Sequence, residues 1–152
     1  MFTSCSKLTK KSASIIILIF ALLSIALLYL RSGNDGSKFS LAAFIDASGI
    51  EGREKYLNSL GWEVDIKSEE AHTVLLPSDF DGVIAEYNKL QLQQGFDLSA
   101  YAGIECRQFT YKVTNYPGYD GDVFATLYIH GSRIIGGDIH SARIDGFMHA
   151  LK

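Results

Sequence analysis

Five residues near the C-terminus could do chemistry together: His130, Asp138, His140, Asp145 and His149. Imidazole and carboxylate side chains suit zinc or another divalent cation. Asp138 and His140 stand two apart in a β-rich run and so project from one face of a strand. With His149 as a third ligand they form the candidate metal set. The spacing lacks the specificity of an H-E-x-x-H helix or of paired cysteines, and surface histidines with turn aspartates explain the same residues. Register matters as well. If Gly131-Ser132 is a complete hairpin loop, His130 pairs with Arg133 and faces away from Asp138 and His140, unless Gly136-Gly137 carries a bulge.

A second candidate is the turn Tyr116-Pro117-Gly118-Tyr119-Asp120-Gly121. Tyr116 and Tyr119 on a tight turn at a sheet end could form a binding tip, since tyrosine offers contact area at low entropic cost. The plainer alternative packs both rings on the sheet edge. Catalytic templates are missing. The chain has no G-x-S-x-G and no phosphate-cradling glycine loop. Cys106 is the one cysteine of the C-terminal part, so a disulfide within it is impossible; in a strand-like run it reads as a small buried apolar residue. No catalytic residue and no cofactor is expected.

These residues need elements to hold them. Ser48-Gly49-Ile50-Glu51 has the capping-box pattern, with Ile50, Leu57 and Leu60 following at helical spacing. Gly61 supplies a left-handed stop, and Trp62 folds back on Leu57. A second helix is expected from Ser78, with Phe80, Val83, Ile84, Tyr87 and Leu90 as its apolar stripe and Gly95 and Phe96 as its ending. Trp62, Val64 and Ile66 alternate with charged residues as a strand, Ser68-Glu69-Glu70 reads as a turn, and His72 to Leu76 as another strand. Phe109, Tyr111 and Val113 restore the two-residue period. Val123–Ile129 and Arg133–His140, joined by Gly131-Ser132, complete a C-terminal three-stranded meander. The expected fold is α+β: a small antiparallel sheet covered by the amphipathic second helix.

In front of this domain stands a different kind of sequence. Residues 12–30, SASIIILIFALLSIALLYL, form a 19-residue stretch without a charge, about 28 Å long as a helix and close to the thickness of a hydrocarbon core. It reads as one transmembrane signal anchor, after a basic leader (residues 1–11) and before a Gly/Ser/Asn/Asp linker (residues 31–38). Residues 39–152 form the domain. All 17 acidic residues lie from Asp35 onward and four of the 14 basic ones precede it, leaving ten basic against 17 acidic and a net of −7. That balance opposes nucleic-acid binding.

Several motifs recur in order: Gly61-Trp62-Glu63-Val64, Leu76-Pro77-Ser78-Asp79-Phe80-Asp81, Tyr87-Asn88-Lys89-Leu90-Gln91 and Gln94-Gly95-Phe96-Asp97-Leu98. Tyr101, Gly103, Tyr111-Lys112-Val113-Thr114-Asn115-Tyr116-Pro117-Gly118, Ile135-Gly136-Gly137-Asp138 and Asp145-Gly146-Phe147-Met148-His149 follow. Together, from about Arg53 to Leu151, the chain resembles the bacterial domain of unknown function 4830 family. The resemblance implies a small domain behind an N-terminal membrane segment, and it implies no activity.

The function expected is a non-catalytic binding or interaction module on the cell membrane, with its N-terminus cytoplasmic and its domain extracytoplasmic. Its partners are the membrane, through the N-terminal helix, and a protein, peptide or envelope ligand. The alternative is a metal-dependent or metal-sensing activity on the His/Asp cluster. Because Lys7, Lys10 and Lys11 precede the apolar run, protease added to cells stripped of their wall should digest the domain. A domain protected until lysis reverses the orientation.

Overall fold

The computed structural model describes residues 45–152. The expected anchor at 12–30, the linker and the first residues of the domain lie outside them. Among the described residues no helix is long and apolar enough to cross a membrane.

The described chain runs through helix α1 (Ile50–Ser59), strand β1 (Val64–Leu75), helix α2 (Gly82–Gln93), a 3-10 turn (Leu98–Tyr101), and strands β2 (Glu105–Val113), β3 (Val123–His130), β4 (Arg133–Ser141) and β5 (Met148–His149). The strands form one antiparallel sheet in the order β1-β2-β3-β4-β5. The expected meander is present as β2-β3-β4, and a strand is added at each edge. Alternation divides the sheet into two faces. Phe109, Tyr111, Ala125, Leu127 and Ile139 point to one and pack with Tyr56 and Leu57 of α1, Phe96 and Leu151. Cys106 and Tyr128 point to the other, where Leu98, Phe80 and Tyr87 meet them. The fold is therefore a sheet between two unequal helical layers.

Both helices end as the glycines promise. Gly61 and Gly95 have φ of +93° and +85°. Trp62 N–H reaches Leu57 O at 3.1 Å and Phe96 N–H reaches Gln91 O at 3.0 Å, the six-residue bond of a Schellman ending. The starts differ from expectation. Gly49, not Ser48, caps α1, and it makes no side-chain cap bond. Helix α2 begins at Gly82 rather than Ser78, because Gly82 at φ +50° breaks any right-handed run through that point.

The expected turn at Ser68-Glu69-Glu70 is a correction of another kind. Its flanks do not pair with each other; both pair with β2 as parts of one strand. Asp65 opposes Lys112 and Glu70 opposes Thr110, so extra residues loop out of β1 as a bulge. Ser68 holds it, donating to Asp65 O and accepting from Lys112 N–H. The bulge carries Glu69 to Arg53, which is 4% exposed and bonds the carboxylate at 2.8 Å. Arg53 also donates to Tyr111 and to the Ala47 and Ser48 carbonyls, and its guanidinium lies 3.8 Å from the Phe109 ring centre. Tyr111 donates to Glu69 as well. Burial opposes the Glu69 charge, but these donors and the positive charge of Arg53 outweigh it and lower its pKa.

The apolar stripe expected to cover the sheet is only partly in contact with it. Val83 is 88% exposed, and the buried positions of α2 are Asn88 and Gln91. The reason lies in β4. Gln91 Oε1 accepts from Gly137 N–H at 2.9 Å, and Gln94 Nε2 donates to Gly137 O at 3.0 Å. Gln94 Oε1 also accepts from Leu151 N–H at 2.8 Å. The two amides continue the backbone pairing of β4 where the short β5 stops. Neither Gly136 nor Gly137 has open room for a Cβ. A Cβ on Gly136 would sit 3.1 Å from Gln91 Oε1, and one on Gly137 2.5 Å from the Thr126 carbonyl oxygen.

Gln94→Ala leaves two buried backbone groups without partners and should cost about 1–3 kcal/mol for each group left unsatisfied. Gly95→Ala should cost about 1 kcal/mol, and Lys89→Ala, on the exposed face, less than about 0.5 kcal/mol; urea titrations measure all three. Separately, the lowered Glu69 pKa contributes stability that is present above the ordinary glutamate value of 4.5 and lost as pH falls through the native value. Urea midpoints should drop below pH 4.5, and Glu69→Gln should flatten that part of the profile.

Candidate functional site

Helix α2 is fastened to the sheet by its C-terminal half, so its first turns overhang the sheet without filling the space below. Between them lies a cleft of about 860 Å³. Its upper wall is Val83, Ile84, Tyr87 and Leu90, the residues whose spacing predicts a core-facing stripe. The lower wall is the sheet face, with Gln108, Thr126 and Tyr128, and Met148 stands at the far edge. Asp138 and His140 form the floor beside them.

Strand alternation sets this floor. Asp138 and His140 flank Ile139, whose side chain enters the main core on the opposite face. Across the ladder Asp138 faces Thr126 and His140 faces Phe124. The His140 and Phe124 rings lie 5.8 Å apart. Asp138 is 2% exposed, and a buried carboxylate needs donors. Tyr87 O–H supplies one to Oδ2 at 2.5 Å, and His140 Nδ1 lies 2.8 Å from Oδ1. Burial first, then the charge of Asp138, pushes the Tyr87 hydroxyl far above the usual phenol range. The same two causes raise Tyr128, whose ring meets Tyr87 edge-on at 6.1 Å. Both phenols keep their protons, and Tyr87 remains a donor. His140 is only partly buried, and its Nε2 bonds to no described residue.

Of the candidate metal ligands, Asp138 and His140 are together and His149 is apart. Residue His149 pairs with Ile139 and so lies on the other face. Both its nitrogens are engaged, Nε2 with Tyr116 O–H at 3.0 Å and Nδ1 with Ala150 O at 2.6 Å. Among the described residues no group of three His, Cys, Asp or Glu side chains converges on one point. The hairpin loop is Gly131-Ser132, with His130 opposite Arg133. A bulge falls at Ile135, just before the two glycines, and turns His130 to the face of Asp138 and His140. It still lies six residues along β3 from Phe124, the partner of His140, roughly 20 Å away. There it packs on Tyr101. Asp145 is exposed in a loop beside Arg143.

The turn tyrosines also face inward. Tyr116 stacks on Trp62 at 5.7 Å and on Phe147 at 4.9 Å, and Tyr119 meets Phe147 edge-on at 5.2 Å. The Tyr119 hydroxyl is buried with no partner among the described residues. Trp62 Nε1 closes the cluster on Leu151 O at 2.6 Å. Cys106 is buried behind β2, and burial raises its thiol pKa, as fits an unreactive side chain.

Sequence reasoning alone does not find Tyr87, Tyr128 and the cleft. The one signal available is an apolar helical stripe containing a tyrosine, which marks a buried face without saying what it faces.

The architecture defines a small α+β domain with an open, mixed apolar and polar cleft on one sheet face. The chain belongs to the domain of unknown function 4830 family, whose model matches residues 56–139. The match covers α2, most of the sheet and Asp138, and ends just before His140. No curated protein and no solved structure matches the chain.

The Tyr87–Asp138 bond generates a test. Tyr87→Phe withdraws a donor from a buried carboxylate and should destabilise the domain by about 1–3 kcal/mol. Urea titration at neutral pH reads this directly, and an unchanged midpoint means Asp138 finds another donor.

Proposed function

We propose that this chain is a membrane-anchored, extracytoplasmic, non-catalytic binding module, and that its ligand enters the cleft between α2 and the sheet. The observation carrying this reading is the cleft itself. An apolar helix face, with Val83 almost fully exposed, stands over a floor of fixed polar groups instead of being packed away. Contiguous exposed apolar residues rimmed by polar ones mark interaction sites. A volume of about 860 Å³ falls in the range of small-molecule sites, so the ligand is a small amphipathic molecule of the envelope. The anchor is supported by the uncharged run at residues 12–30 with lysines before it.

A photo-activatable residue placed at Val83, at the rim, should capture a ligand of small added mass in intact cells. The same residue at Lys55, exposed on α1 across the sheet, should not. Equal labelling at both positions, or none at Val83, overturns the cleft as the binding site. A protein-sized adduct overturns the small-ligand reading.

A further inference from the structure

The polar floor also specifies what the ligand must present to it, an inference that rests on the cleft being the binding site. Asp138 holds two partners, Tyr87 O–H on Oδ2 and His140 Nδ1 on Oδ1. A carboxylate only accepts, so Nδ1 of His140 carries the hydrogen in that contact. In the neutral ring the other nitrogen then has a lone pair and no hydrogen. Nε2 has no partner among the described residues, and His140 lines the cleft. Tyr87 cannot compete for that lone pair, because its single hydrogen is directed at Asp138. The cleft that His140 lines also has Ile84, Leu90 and Met148 in its walls.

We infer that His140 Nε2 is the polar anchor of the cleft and selects ligands that bear a hydrogen-bond donor, a hydroxyl or N–H, beside an apolar body. Asp138 and Tyr87 are positioning residues for it, since one fixes the tautomer and the other holds the carboxylate. Other polar groups of the cleft lining already have partners: Glu86 pairs with Lys89 at 2.6 Å, and the Thr126 and Thr110 hydroxyls lie 3.1 Å apart.

The test uses two probes that differ only at the oxygen, 4-ethylphenol, which has a donor, and its methyl ether 4-ethylanisole, which has none. The full-length protein is placed in nanodiscs, free probe is corrected with empty discs, and binding is followed through the methyl signals of Ile84, Leu90 and Met148. With His140 neutral, the phenol should bind roughly five- to tenfold more tightly than the ether, the worth of one partly exposed hydrogen bond. The preference should vanish in His140→Phe. Long-range proton–nitrogen correlations on the unaltered protein should show hydrogen on Nδ1 and none on Nε2, a readout that needs no variant to fold. Equal binding of both probes, a preference that survives in His140→Phe, or hydrogen on Nε2 in the neutral ring overturns the inference while the cleft reading stands. Failure of both probes to move the three methyl signals overturns the cleft reading and this inference with it.

Discussion

The contact on which this domain turns is that between the end of α2 and the bare backbone of β4 at Gly136 and Gly137. Gln91 and Gln94 bond the Gly137 N–H and C=O, and Gln94 passes the pairing on to Leu151. Buried backbone groups at the end of a short edge strand must find partners, and two side-chain amides supply them where β5 ends. A Cβ on Gly136 would crowd Gln91 Oε1 at 3.1 Å, and one on Gly137 would meet the Thr126 carbonyl oxygen and Leu151 rather than the glutamines. The helix is therefore fixed at one end and by its polar side. Its apolar side is left turned to the space over β2 and β3, and the cleft is the consequence.

The two sheet faces then carry different burdens. The α1 face is closed by a continuous apolar core and a partly buried ion pair, Arg53 with Glu69, which also engages Tyr111. Such a pair is a poor source of net stability, since desolvation opposes the attraction. Its visible effect is geometric: it ties the bulge of β1 to the start of α1. The α2 face has a smaller core of Leu76, Leu98, Cys106 and Ile135. Beside it the packing stops and the charge of Asp138 is managed by Tyr87 and His140. In the proposed binding role the recess would supply affinity, and His140 Nε2, which has no partner among the described residues, would supply choice.

The aromatic cluster at the opposite corner shows how residues suited to binding can serve the fold instead. Trp62, Tyr116, Tyr119, Phe147 and His149 come from three separate stretches and close the sheet end around Leu151. Stacked and edge-on rings stabilise such a corner beyond their buried area. His149, chosen from the sequence as a ligand, is held there by Tyr116 and by its own neighbour's carbonyl.

By itself the sequence determined whatever depends on neighbours in the chain. The Gly61 and Gly95 helix endings, the alternating strands, the two-residue hairpin loop and the pairing of Asp138 with His140 on one strand face all follow from local geometry and period. Tertiary structure decided the rest. Ser68-Glu69-Glu70 has turn chemistry, yet it became a bulge because both flanking segments had the same partner strand. The stripe on α2 has core periodicity, yet amides at Gln91 and Gln94 were drawn to the sheet by unpaired backbone some 45 residues further along the chain. Periodicity reports that a face is apolar and says nothing about what stands opposite. The Tyr87–Asp138 bond joins residues 51 apart, and only the folded sheet brings them within reach.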